Sequence, residues 1–250
     1  MRSFVTLFRR ELASFFFSIS GYVIIAATTF LVGWGFVILI NNLGGDVTPM
    51  PITELFFRTQ FYWLIVLFTP PVITMRLFAL ERYSGTFETL MTTPVTDICV
   101  VLAKFGAAIT FYLIMWLPML GCLFVVQHFA RQSGALDPAT VGGMYFGIAL
   151  TGALFLALGC FASAITRSQM VAAMVTLLMG VSLYGGGYLA EHIPAAAQWQ
   201  SQVLSHFALF KQMHDFARGV VDTRAVVFLV TTTFFFLFLT LRAVESRRWR

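Results

Sequence analysis

Charge is what this sequence lacks most. Asp, Glu, Lys and Arg make up 11% of its 250 residues, against about 25% in an ordinary soluble domain. Apolar residues make up 59% and the mean hydropathy is +0.85, which excludes a water-exposed globular surface and points to an integral membrane protein. The net charge is +5. Its basic residues sit in short segments between apolar runs, so a nucleic-acid-binding surface is not expected. Cysteine is scarce. Cys99, Cys122 and Cys160 lie in or beside apolar runs without C-x-x-C spacing, which reads as small buried hydrophobes rather than disulfides or metal ligands. His128, His192, His206 and His214 form no acid-base grouping, and no acidic or Cys partner at ligand spacing accompanies His206 and His214. Neither a catalytic centre nor a metal site is expected. The phosphate-binding pattern G-x-x-x-x-G-K-[ST] is also missing, so nucleotide hydrolysis by a P-loop is excluded for this chain. The start, MRSFVTLFRRELASFFF, is not a signal peptide by pattern, because Arg9, Arg10 and Glu11 interrupt any apolar core.

What is present is a series of long apolar runs. A helix needs about 20 residues to cross the hydrocarbon, and lipid forces such spans to be helical because it cannot satisfy bare backbone groups. Six runs qualify, at about 19–40, 59–79, 98–126, 141–165, 170–189 and 225–241. The expected fold is all-α: one transmembrane domain over 1–250. Pro70, Pro71 and Pro118 predict kinks in the second and third spans. Gly143 and Gly147 form a GxxxG in the fourth, which serves either packing within the chain or a subunit interface. Gly185, Gly186 and Gly187 are expected to loosen the fifth.

Six spans put both termini on one side. Arg2, Arg9, Arg10, Arg76, Arg82, Lys104, Arg167, Arg242, Arg247, Arg248 and Arg250 fall there, 11 in all, and Arg58, Arg131, Lys211, Arg218 and Arg224, 5 in all, fall opposite. The excess predicts cytoplasmic termini. Lys104 and Arg76 are expected to snorkel toward that interface.

Three segments outside the spans are patterned. In residues 1–18, Phe4, Leu7, Phe8, Leu12, Phe15 and Phe16 recur at helical spacing, the signature of an interfacial helix; the alternative is an irregular lead into the first span. In 190–224, Phe207, Phe210, Met213, Phe216, Val220 and Val221 share roughly one face, giving one or two short external helices at the outer interface, with solvated or interfacial His206 and His214. In 80–92, Leu80, Tyr83, Phe87, Leu90 and Met91 are spaced as an amphipathic helix that Pro94 ends, with Glu81, Arg82, Thr86 and Glu88 opposite. Asp97 is placed to cap the next span. Gly85 sits inside this helix, at a cost of about 1 kcal/mol relative to Ala. Pattern alone leaves open an ordinary surface helix without a partner.

The run LERYSGTFETLMTTPV resembles the signature of ABC-2-type transporter permeases, E-[RK]-x-x-G-T-x-E-x-L-x-x-x-P, at Glu81, Arg82, Gly85, Thr86, Glu88, Leu90 and Pro94. LSHFALFKQMHDFARGVVD, residues 204–222, further resembles the subgroup of the gliding-motility and nitrous-oxide-reductase-maturation permeases. The resemblance implies the permease subunit of an ATP-driven exporter in the bacterial inner membrane. It would be paired with a second permease copy or a related permease, and an accessory subunit would be possible. It implies that the loop after the second span is a coupling helix docking a separate ATP-binding subunit, which would hold the ATP and Mg; no cofactor is expected in this chain. Glu81, Arg82 and Glu88 would then pair with charges on that subunit, and Phe87, Leu90 and Met91 would anchor the helix or fill its groove. Two rivals stay open: a stand-alone secondary transporter, against which the scarcity of buried ionisable residues argues, and a membrane enzyme or assembly subunit not driven by ATP.

Overall fold

The computed structural model describes residues 2–43, 52–85, 96–130, 137–192 and 209–248. Among them the chain is helical, with no strand. Six helical stretches are long and apolar enough to cross a membrane: Ile19–Asn42, Gln60–Tyr83, Asp97–Val126, Pro138–Ile165, Gln169–Gly187 and Thr223–Ser246. The protein is therefore an all-α polytopic membrane protein, as its composition requires.

In chain order the described helices are α1 (Arg2–Phe16), α2 (Ile19–Leu43), α3 (Ile52–Arg58), α4 (Gln60–Thr74), α5 (Ala79–Tyr83), α6 (Asp97–Met115), α7 (Leu117–Ala130), α8 (Pro138–Ile165), α9 (Gln169–His192), α10 (Leu209–Ala217) and α11 (Thr223–Arg248). The end that carries α1 is called the near end below, and the opposite one the far end. α8 is the axle. It packs against α4, α6, α9, α10 and α11, and 72% of its apolar window is buried inside the protein, against 22% for α9 and 28% for α11. Its start is encoded locally. Pro138 occupies the first turn, where a missing N–H costs nothing, and the Asp137 side chain accepts from the Ala139 N–H at 3.4 Å. Its small residues admit neighbours closely: a methyl group on Gly152 would collide with the Tyr112 ring.

The kinks fall at the prolines. The third span breaks at Trp116, two residues before Pro118, and the Trp116 carbonyl accepts from the Tyr145 hydroxyl at 2.9 Å. In the second span, α4 ends at Thr74, a turn after Pro70 and Pro71, and the chain turns before resuming as α5. Asp97 sits in the first turn of α6, whose N-cap position belongs to Thr96. The fifth span stays helical through Gly185, Gly186 and Gly187; a methyl group on Gly185 or Gly186 would meet nothing within 4 Å.

The structure decides between the two readings of the GxxxG. The GxxxG faces the chain itself: a Cβ on Gly143 would lie 2.9 Å from the Phe216 carbonyl, and one on Gly147 would lie 2.8 Å from Phe216 Cβ and 3.0 Å from Met213 Sδ. α10 is thus seated on α8. Its face is narrower than its spacing implied. Met213 and Phe216 are buried, but Val220 and Val221 are exposed because Gly219, at φ +79°, turns the chain away first. Phe207 and His206 lie outside the described residues. His214 is not solvated: its Nδ1 stands 3.3 Å from Glu54 Oε1, and its side chain is 12% exposed.

Candidate functional site

The near end gathers the motif residues that the structure describes. α5 begins where two backbone N–H groups, of Phe78 and Ala79, both donate to the Ser163 hydroxyl of α8 at 3.1 Å. The side chain from the central helix thus does the work of an N-cap, satisfying donors that the helix start leaves orphaned. Met75 and Leu77 are held in turn by the Pro71 and Thr74 carbonyls, at 3.0 Å each. The position of α5 is consequently set by α8.

Glu81 leaves α5 toward the bundle. Its Oε1 accepts from Lys104 Nζ of α6 at 2.8 Å and from Arg10 Nη2 of α1 at 3.5 Å. Lys104 also donates to Glu11 Oε1 at 3.2 Å, and Arg10 to the same oxygen at 2.7 Å. Two cations and two carboxylates from three elements thus close one network. The hydrogen bond to Glu11 holds the Arg10 guanidinium above its usual range. Lys104 is 2% exposed and stands 5.4 Å from the Phe78 ring centroid. It does not snorkel, because two carboxylates inside the bundle supply what an escape to the interface would otherwise give.

Arg82 faces another way, its Nη1 donating to the Thr166 carbonyl at the end of α8, 3.3 Å away. Gly85 is not inside a helix. α5 ends at Tyr83, Ser84 is the C-cap with its N–H on the Leu80 carbonyl, and Gly85 follows at φ +72°. A left-handed glycine just past the cap is how helices commonly stop, so the helix that begins at Ala79 ends at Tyr83 and does not run on through Gly85 as expected. Thr86, Phe87, Glu88, Leu90, Met91 and Pro94 lie outside the described residues. Leu80 is 41% and Tyr83 82% exposed, so α5 presents an apolar surface outward while its carboxylate points in.

Sequence reasoning missed Glu11 and Lys104 as members of the site. Glu11 served only to argue against a signal peptide. The available signal was Lys104's depth: two helical turns inside an apolar run, a lone ammonium needs a carboxylate. Glu54 went unnoticed at the far end. It is 1% exposed, and its Oε1 is bound by Arg218 Nη2 at 2.7 Å beside His214.

With this geometry in place, the comparisons bear on identity. A search of curated proteins finds no match. A protein-family model described as "ABC-2 family transporter protein" matches residues 48–242, well over half of the chain. The match spans the second to sixth membrane-crossing helices and the whole of the LERYSGTFETLMTTPV run. A match over that much of the chain, on a bundle with six helices able to cross a membrane, decides the family: the chain belongs to the ABC-2 transporter family, as a membrane subunit of a transporter.

Proposed function

We propose that this chain is the permease subunit of an ATP-driven exporter, working as a dimer in the bacterial inner membrane with both termini cytoplasmic. A separate ATP-binding subunit, carrying the ATP and Mg, would dock on residues 80–94. The observation that carries the reading is α5. It is fixed at its start by Ser163, tied through Glu81 to α1 and α6, and still exposes Leu80 and Tyr83. A push on that exposed surface would reach the first span's lead-in helix and the third span through the ion pairs of Glu81, and the central helix through the buried bonds to Ser163. Glu81 is engaged internally by Lys104, so its role in coupling is transmission, with Arg82, Gly85, Thr86, Phe87, Glu88, Leu90 and Pro94 shaping the docking segment. The resemblance of 204–222 supports membership of the gliding-motility and nitrous-oxide-reductase-maturation subgroup, in which an accessory subunit would be in place.

The test is co-purification of the full chain with an ATP-binding subunit from the same cells. Leu80→Ser with Tyr83→Ala should reduce recovery of that subunit several-fold while leaving thermal unfolding of the isolated permease unchanged. Equal recovery by wild type and variant would remove the coupling assignment and favour a secondary transporter or an assembly subunit.

A further inference from the structure

Beside the ion network lies a pocket of about 640 Å³, within the range of about 300–1,000 Å³ typical of ligand sites. It opens between α1, the start of α2 and the α4–α5 turn. Its charges do not balance. Arg10, Lys104 and Arg76 line it against Glu11 and Glu81. The first two cations are matched by the two carboxylates. Arg76 is left over. Among the described residues its guanidinium reaches hydroxyls only: Nη1 donates to Ser18 Oγ at 3.0 Å and to Ser20 Oγ at 2.6 Å. Nη1 thereby uses its two N–H groups, and the guanidinium carries three more. Apolar wall is supplied by Ile24 and Val72. Just outside it Ile19, Tyr22 and Val23 of the first span are 84%, 63% and 60% exposed, a surface suited to lipid.

We infer that this pocket binds an anionic phospholipid, its phosphodiester on Arg76 beside Ser18 and Ser20 and an acyl chain along Ile24 and Val72. An unmatched guanidinium and two hydroxyls are phosphate chemistry. An apolar wall continuous with a lipid-facing helix fits a tail and gives a free anion nothing. Bound there, the lipid would join the start of the first span to the second span, on the side of the pocket that the Lys104 network leaves open. The inference needs only the six-span fold and is independent of ATP coupling.

The full chain, purified in detergent, is titrated with phosphatidylglycerol and read by native mass spectrometry. Parallel arms use diacylglycerol, which keeps the tails without the phosphate, and inorganic phosphate, which has no tails. Phosphatidylglycerol adducts should persist, and Arg76→Gln should weaken them roughly tenfold, the scale of a charge-assisted hydrogen bond. Arg76→Lys, which keeps the charge without the fork, should fall between and serves if the Gln variant does not fold. Arg9→Gln, which removes an exposed cation from α1 that lies outside this pocket, should bind as wild type does. Equal binding by wild type and Arg76→Gln overturns the site. So does an equal loss in Arg9→Gln, which would mean diffuse surface charge. Inorganic phosphate binding with the same Arg76 dependence, while phosphatidylglycerol fails to compete, would make the occupant a free anion and overturn the lipid assignment.

Discussion

The two ends of the bundle are joined by different physics. At the far end α10 lies on Gly143 and Gly147 with no room for a methyl group, Thr53 Oγ1 donates to the Ala217 carbonyl at 2.9 Å, and Glu54 is closed off by Arg218. At the near end no such glycine seat holds α5. It hangs from Ser163 and from Glu81's bond to a buried lysine, and Leu80 and Tyr83 remain uncovered. Close packing over glycines, with one ion pair beside it, holds the far end; a cap bond and a network of ion pairs hold α5 at the near end. Close packing resists displacement in every direction, whereas ion pairs between side chains tolerate small shifts of the elements they join, so the near end suits a moving part better.

The sharpest way to break this contrast is to unbalance the near-end network. Lys104→Met leaves two carboxylates facing Arg10 alone, and removing one partner of a buried pair typically costs about 3–5 kcal/mol. Thermal unfolding in detergent should show a large drop, and adding Glu11→Gln and Glu81→Gln should restore most of it. The far end should fail by overpacking instead. Gly147→Leu drives side-chain atoms into Phe216 and Met213, at a cost of about 1–3 kcal/mol, and no charge change should rescue it. Ser163→Ala removes the acceptor for two N–H groups and should cost about 0.5–2 kcal/mol, the range of a lost N-cap. Beyond stability, it should loosen α5 alone, read as faster hydrogen exchange at Phe78 and Ala79 with the α8–α10 contact unchanged. Smallest is Arg242→Ala. Its pair with Glu245, at 2.9 Å, is exposed, so the same unfolding assay should move by no more than about 0.5 kcal/mol.

The sequence revealed the spans because their signal is length and composition, which lipid imposes without regard to partners. Pro118 was legible for the same reason: it acts on its own backbone. The Asp137–Pro138 start of α8 carried the same kind of local signal and was passed over, the span being placed from 141. Gly85 misled because a mid-helix glycine and a glycine just past a helix end look alike until the cap is seen. The site was half legible. Glu81 and Arg82 stood out by their pattern, but their partners come from 71 and 23 residues away for Glu81 and from 84 for Arg82. Periodicity carries no information about such pairings. Gly143 and Gly147 announced close approach without naming the helix that approaches.

The central claim is that the exposed face of α5 is where an ATP-binding subunit docks. It is tested most directly by placing a photo-crosslinking amino acid at Tyr83, 82% exposed, or at Val220, 57% exposed at the far end, in the full complex in native membranes. The account predicts an adduct with the ATP-binding subunit from position 83, with a yield that changes when ATP is added, and none from position 220. An adduct from 220, or none from 83 in a complex that still assembles, would contradict it.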